Sequence, residues 1–445
     1  MAIQARATGA SASPIMGVTF RSLRHANYRL WAIGALVSNV GTWMQRTAQD
    51  WIVLTQLTHE SATAVGIVMS LQFGPQLLLL PLAGPAADRW DRRRLLMVTQ
   101  AAMGLLALVL GLLAMSGTLV LWHVYVLAFL LGCVTAFDAP ARQTFVGDLV
   151  GEADLSNAVA LNATSFHVAR MIGPAAAGVL LAGVGAAWSF LINAASFAAV
   201  LLALRMMRTT ALHPQRQSAA LQRGFVQSLH YVRRRPDLVA TLVMMFLVST
   251  FGLNFAIFIP TMAVSAFRAG AGEFGTLSSV MAIGSVAGAV LAARQARPRL
   301  TFLLAAAAVF GFGSLAAALA PGVWLFGVAL LVTGVAAQIF MTTTNSLVQL
   351  STEQGMRGRV MALLLAIILG CTPLGAPLVG WVADIYGPRW SLAVAAASGL
   401  AAVLVGLRYL ARHGRRHLQA RAGTPDATPA GAAEAPQACA ADRPR

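Results

Sequence analysis

The chain has 445 residues, 58% of them apolar and 11% charged, and a mean hydropathy of +0.71, which excludes water as the only solvent of its surface. Its formal charge of +17 does not mark a nucleic-acid partner, because every basic residue is arginine and the arginines follow a membrane pattern. All but four of the 32 lie in the amino-terminal arm, the carboxy-terminal tail and every second connection between apolar runs. That asymmetry predicts a multi-pass protein of the inner (plasma) membrane with both termini cytoplasmic.

The exceptions are Arg268 and Arg389 in opposite connections, and Arg46 and Arg170 inside apolar runs. Without lysine there is no P-loop for ATP and no Schiff-base chemistry. Only His123 and His167 bring imidazoles to the spans, neither with metal-ligand spacing, so no metal, cofactor or enzymatic reaction is expected. Cys133, Cys371 and Cys439 suggest no disulfide framework.

Crossing about 30 Å of hydrocarbon takes about 20 helical residues. Twelve spans are predicted, near 30–55, 63–86, 95–115, 119–138, 156–182, 186–205, 238–264, 274–293, 301–319, 322–346, 359–382 and 389–410. Residues 1–28 form a cytoplasmic arm without the apolar core and cleavage site of a signal peptide, so the first span is expected to be retained.

The first span carries "GTWMQRTAQDW", in which Asn39, Trp43, Arg46 and Asp50 follow steps of four, three and four along one helical stripe. Ser38, Thr42, Gln45 and Gln49 widen it to a polar face. A charge inside a span costs about 2.5–3.5 kcal/mol on insertion scales, so these groups should face protein or a wet cavity and pair there. Burial and Arg46 act on the Asp50 carboxyl in opposite senses, which suits a group that takes up and releases a proton. The competing reading is a permanent pair of Asp50 with Arg46 or Arg170 that only neutralises charge.

Between the second and third spans stands "GPAADRWDRRRLL", Gly84 to Leu96, with two aspartates and four arginines. The fourth span ends in "FDAPARQ", which holds Asp138 and Arg142. The fifth contains "ARMIGPAAAG", with Arg170, Gly173, Pro174 and Gly178; small residues there let helices approach closely, and Pro174 leaves a carbonyl unpaired. Arg170 is offered to Asp50 or to an anionic group of a substrate, and His167 is read as a packing residue.

Residues 207–237 form a cytoplasmic linker in which Phe225, Val226, Leu229 and Val232 share a helical face ending in three arginines, as on an anionic inner leaflet. A solvated linker helix is the plainer alternative. The linker separates a bundle at 29–206 from one at 238–410, and residues 411–445 read as a disordered cytoplasmic tail. The halves echo each other: "GPAAAGVLLAGVGAAWS" from Gly173 aligns with "GAPLVGWVADIYGPRWS" from Gly375, pairing the fifth span with the eleventh.

The loop at Gly84 resembles the signature of the major facilitator superfamily, and the Gly173-Pro174 run resembles the superfamily's exporter motif, with Ala169 where that motif has glycine. "SNVGTWMQRTAQDWIVL", "FGPQLLLLPLAG", "DAPARQTFVGDLV" and "YVRRRP" look like the branch with enterobactin and macrolide exporters, over residues 20 to about 410. The resemblance implies an all-α membrane protein with twelve transmembrane helices in two pseudo-symmetric six-helix bundles.

It also implies a cytoplasmic latch of Gly84, Asp88, Arg89, Arg92, Asp138 and Arg142. In that latch Asp88 would meet the eleventh helix start at Arg357 to Val360, and Arg92 would pair with Asp138. The second-half counterpart near Arg294 has lost its aspartate.

In the superfamily, the first, fourth, seventh and tenth helices line a central cavity. Beside the first-span stripe this suggests Tyr125, Thr135, Phe251, Asn254, Phe255, Gln338, Thr342 and Asn345. The implied activity is proton-coupled export of a small amphiphilic molecule, drug-like, macrolide-like or siderophore-like, by alternating access in a monomer. A passive lipid scramblase or channel, uptake instead of export, and a transport-dead receptor are the alternatives.

Overall fold

A computed structural model describes residues 20–208, 225–295 and 298–422. The arm up to residue 19, the linker stretch 209–224 and the tail from 423 lie outside the described residues. So do some side chains inside helices, including those of Asp88, Phe225 and Val226.

Among the described residues the protein is helical throughout, without a strand. The first half comprises α1 (Ala26–Ile52), α2 (Ala62–Arg89), α3 (Arg92–Met115), α4 (Leu121–Val150), α5 (Leu155–Gly183) and α6 (Ala186–Met206). A short linker helix, α7 (Phe225–Arg233), follows. The second half holds α8 (Pro236–Leu247), α9 (Phe255–Thr261), α10 (Ala271–Ala293), α11 (Leu300–Leu319), α12 (Val323–Ser351), α13 (Gln354–Tyr386) and α14 (Pro388–Ala422).

Among the described residues eleven segments are long and apolar enough to cross a membrane, with α8 and α9 counted as one. The sequence predicts twelve. The difference is α1, whose 27 residues reach about 40 Å but whose polar stripe dilutes its hydropathy.

The seventh predicted span is not one regular helix. Between α8 and α9 the chain makes a π turn at Val248–Gly252 and leaves helical geometry at Leu253 and Asn254; a second π turn follows at Met262–Ala266. A π turn also follows α1, at Val53–Leu57, so the first and seventh spans end alike. Such turns shift the register of the side chains beyond them.

The internal echo is visible in three dimensions. Gly185 and Gly387, aligned in the repeat, both turn the chain with positive φ, 91° and 96°, conformations that glycine adopts without strain. Gly173 presses on α1, where an added Cβ would sit 2.5 Å from Trp43 Cβ, and its counterpart Gly375 presses on the backbone of Thr250 in the seventh span. Gly178 meets Gly275 of α10, and its counterpart Gly380 meets Ala62 of α2. The fifth span thus touches the first and eighth, and the eleventh touches the seventh and second, as two copies of one six-helix plan require.

These contacts also join the halves, through α2 against α13 and α5 against α10. On the first seam Pro377 cannot donate to the carbonyl of Pro373, one helical turn back; Ser70 Oγ of α2 donates to it instead, at 2.8 Å. A proline that would weaken α13 alone becomes a contact point for the other half. Away from the seams each half keeps its own apolar core, built in the second around Phe258, Phe310, Phe326 and Phe340.

Two of the four apolar positions predicted for the linker helix are described. Val232 is buried in the second-half core and Leu229 is exposed, so the apolar face is divided between protein and surroundings.

Candidate functional site

The α1 stripe faces two adjoining cavities. One, of about 240 Å³, lies between the halves and is lined by Trp43, Arg46, Thr47 and Asp50 of α1, Gln72 and Phe73 of α2, and Arg170 and Pro174 of α5. The second half contributes Phe255 and Ile259 of α9, and Phe274, Ser278 and Met281 of α10. The other, of about 380 Å³, lies within the first half and is lined by Asn39, Gln49, Thr135, Asp138, Arg142, His167 and Asn193; Arg46 and Gln72 border both.

Gly173 sets the geometry of the first cavity. Its missing side chain lets α5 lie against Trp43, and Arg170, about one turn earlier, is carried over the same indole. Arg46 and Arg170 each place a guanidinium carbon 5.4 Å from the Trp43 ring centre, and Arg46 also lies 5.5 Å from the ring of Phe73. Such stacking partly replaces lost hydration for a cation in an apolar setting.

Among the described residues Asp50 is the sole carboxylate lining this cavity. Arg46 attracts it and repels Arg170, but among the described residues no ion pair within 4 Å joins Asp50 to either arginine, and Arg46 Nε is buried without a hydrogen-bond partner. Neither permanent pairing considered from the sequence forms in this state.

The other predicted cavity residues divide. Phe255 lines the central cavity, whereas Asn254 is buried, donating to the carbonyl of Thr250 at 2.8 Å. The chain leaves helical geometry at Leu253 and Asn254, just after the π turn, and these two predicted neighbours part, Asn254 into the core and Phe255 to the cavity. Phe251 packs on the second-half core and Tyr125 on a first-half cluster. Gln338 donates to Thr342 Oγ1 at 3.2 Å and Asn345 to the carbonyl of Met341 at 3.0 Å, and none of the three lines either cavity. The α12 polar groups are occupied with their own helix.

At the end of the molecule bearing the linker, the expected Arg92 to Asp138 pair is replaced. Arg92 Nη1 donates to both oxygens of Asp148, at 2.8 and 2.9 Å. Asp138 lies deeper, accepting from Arg142 at 2.8 Å, Thr99 at 2.8 Å and Gln100 at 2.7 Å. Helix α4 runs to Val150, well past the apolar stretch that ends near residue 138, so Asp148 stands level with the start of α3. Hydropathy marks where hydrocarbon ends, not where a helix does.

Arg89 is exposed, an added Cβ at Gly84 would meet open space, and α13 begins at Gln354, ahead of the expected Arg357. The Asp88 side chain lies outside the described residues. Nearby, Arg21 and His25 both bind Asp154, His25 at 2.8 Å, and Ser22 binds Asn157, tying the end of the arm to the start of α5. The hydrogen bond from His25, with Arg21 adding to it, holds the Asp154 carboxyl below the usual carboxylate range.

Three contacts close the opposite end. Trp51 stacks on Phe274 at 5.2 Å over the central cavity. Ser265 donates to Glu60 at 2.7 Å. Asp384, at the end of α13, accepts from the amides of Ala62 and Thr63 at 2.6 and 3.0 Å and from Ser61 Oγ at 3.0 Å. A carboxylate from one half thus caps the first turn of α2 in the other. Asp384 and Asp148 went unrecognised in the sequence, where nothing distinguishes a capping aspartate from a solvated one.

Comparison with known proteins agrees with this architecture. The chain is 27% identical to the staphyloferrin A transporter of Staphylococcus aureus, over 78% of this chain and 87% of that protein. It is 26% identical to the enterobactin exporter EntS of Citrobacter koseri, over 86% of this chain and 91% of that one. The structure of a bacterial homologue of the human lysosomal transporter Spinster, inward-facing and unoccupied, matches with a TM-score of 0.65 at 14% identity, covering 92% of this chain and 99% of its own. That likeness carries the fold. The model of the transmembrane secretion effector family matches residues 17–429, and the chain therefore belongs to that branch of the major facilitator superfamily, whose members are membrane transporters and not enzymes.

Proposed function

We propose that this transporter exports a small amphiphilic molecule in exchange for protons, by alternating access, as a monomer of the inner membrane with both termini cytoplasmic. The observation that carries this reading is Asp50: a carboxylate in a cavity between the halves that it shares with Arg46 and Arg170, yet ion-paired with neither among the described residues. A carboxyl so placed can hold a proton in one state and release it in another, with Arg46 favouring release. Phe255, Phe274, Trp43 and Met281 offer an aromatic and flexible surface to an amphiphile.

Export is favoured over uptake by the name of the EntS relative, an enterobactin exporter, and by the Gly173, Pro174 and Gly178 motif, whose glycines set the contacts of α5 with α1 and α10. With the linker on the cytoplasmic side, closure at Trp51, Phe274 and Asp384 makes this a state shut to the outside. The two seams, α2 with α13 and α5 with α10, are the surfaces on which the halves would rock.

One proton is energetically sufficient. About 100 mV contributes about 2.3 kcal/mol per charge and one pH unit about 1.4, enough for a several-hundred-fold gradient of a neutral solute.

The test is a substrate screen in inverted membrane vesicles with an imposed acid interior. Accumulation that depends on this chain and collapses on adding a protonophore supports the exporter. Equilibration that ignores the protonophore supports a passive channel or scramblase and removes the reading.

A further inference from the structure

The transporter reading leaves the charge of its cargo open, and the central cavity carries more positive charge than its own residues balance. Arg46 and Arg170 converge on the one indole of Trp43, each 5.4 Å from its centre. They repel each other, and Asp50 is the sole acidic group among the residues lining the cavity. The carboxylate described in the adjoining cavity, Asp138, already accepts from Arg142, Thr99 and Gln100. His167, in that same cavity, is no source of negative charge.

Two arginines with one carboxylate are an expensive arrangement for packing alone. Buried charges are ordinarily paired or hydrogen-bonded, because desolvation is otherwise uncompensated. Here Arg46 Nε is buried without an acceptor, and among the described residues no carboxylate comes within 4 Å of either guanidinium. Guanidinium is the donor best matched to a planar oxyanion, which it binds through two parallel N–H groups. Around the pair the walls are rings and aliphatic side chains: Phe73, Phe255, Phe274, Ile259 and Met281.

We propose, resting on the exporter reading, that the transported molecule carries an acidic group, a carboxylate or an equivalent planar oxyanion, on an aromatic or apolar body. The acidic group is received by Arg46 and Arg170 beside Trp43, and the body lies against Phe255 and Phe274.

The probes are radiolabelled 2-naphthoate and 2-naphthamide, the same ring with and without the charge, bound to the purified full-length chain in lipid nanodiscs. Naphthoate is expected to bind at least tenfold tighter than the amide, and at least tenfold tighter than acetate, which has the charge without the ring. That preference should fall at least fivefold in Arg46→Gln and Arg170→Gln and persist in Arg46→Lys and Arg170→Lys, with all four variants monodisperse by size exclusion. Equal binding of naphthoate and amide to the wild type, a preference that survives both glutamine variants, or no naphthoate binding at millimolar concentration overturns the proposal. Acetate binding as tightly as naphthoate also overturns it, leaving a simple anion site.

Uptake of both probes into inverted vesicles separates this inference from the reading beneath it. Proton-driven uptake of the amide at the naphthoate rate keeps the exporter and sinks the anion site. Naphthoate binding without any driven uptake keeps the anion site and sinks the exporter.

Discussion

Removing the Asp384 carboxylate should open the end of the transporter that this state holds shut. Asp384→Ala deletes three hydrogen bonds that α13 of the second half accepts from Ser61, Ala62 and Thr63 at the head of α2 in the first. Two of these donors are first-turn amides that the helix cannot satisfy itself, and capping them is worth about 0.5–2 kcal/mol. Asp384 is exposed, so solvent takes part of the charge interaction, and about 1–2 kcal/mol is a fair size for the net effect. That corresponds to about a five- to thirtyfold shift away from the closed state.

Ser278→Cys, on the wall of the central cavity and in a chain with Cys133, Cys371 and Cys439 replaced by serine, reports the shift. In Asp384→Ala on that background, a membrane-impermeant maleimide added from the closed end should label the site about tenfold faster, and Asp384→Asn, which keeps one acceptor, should fall between. An unchanged labelling rate in Asp384→Ala would refute the idea that this carboxylate holds the two halves together.

Three further outcomes follow from the contacts at the linker end and the seams. The Arg92 and Asp148 side chains are only 12% and 7% exposed, so Asp148→Asn, which removes the charge from this pair, should cost about 1–3 kcal/mol, and Arg92→Met with Asp148→Asn should recover part of the lost thermal midpoint in detergent. Because the Asp154 carboxyl is held below its ordinary value, its contribution to docking the arm is complete above about pH 4, the unperturbed aspartate value, and is lost as pH falls through the lowered one. Hydrogen exchange at residues 21–25 should therefore stay slow at pH 5 and quicken below about pH 4, and Asp154→Ala should quicken it at every pH. Gly178→Val places methyl groups where a Cβ alone would stand 2.9 Å from the Gly275 backbone; the clash should cost about 1–3 kcal/mol at the α5–α10 seam and slow transport, while Ala182→Val in the same helix should do less.

The parts of the fold legible in the sequence were those with a periodic signature. Steps of three and four brought Asn39, Trp43, Arg46 and Asp50 to one face, and that face is the cavity wall. The repeated glycines at 173 and 375, and at 178 and 380, read as close helix approaches because only a missing side chain explains small residues at helical spacing. What stayed hidden depended on register and depth. The π turn at Val248–Gly252, which no hydropathy pattern records, precedes the point where Asn254 enters the core while Phe255 reaches the cavity. The partner of Arg92 was misread because α4 outruns its apolar stretch and carries Asp148 to the level of α3. Arg170 was recognisable as buried charge, but its convergence with Arg46 on Trp43 needed the contact made at Gly173.

The most direct test of the function proposed here is proton movement by the Asp50→Asn variant. In proteoliposomes loaded with a pH-sensitive dye, adding a transported substrate to the wild type should drive proton flux in the opposite direction, and Asp50→Asn, inserted and folded to the same level, should still bind substrate while that coupled flux disappears. Substrate-driven proton flux at the wild-type rate in Asp50→Asn would contradict the assignment of Asp50 as the coupling group.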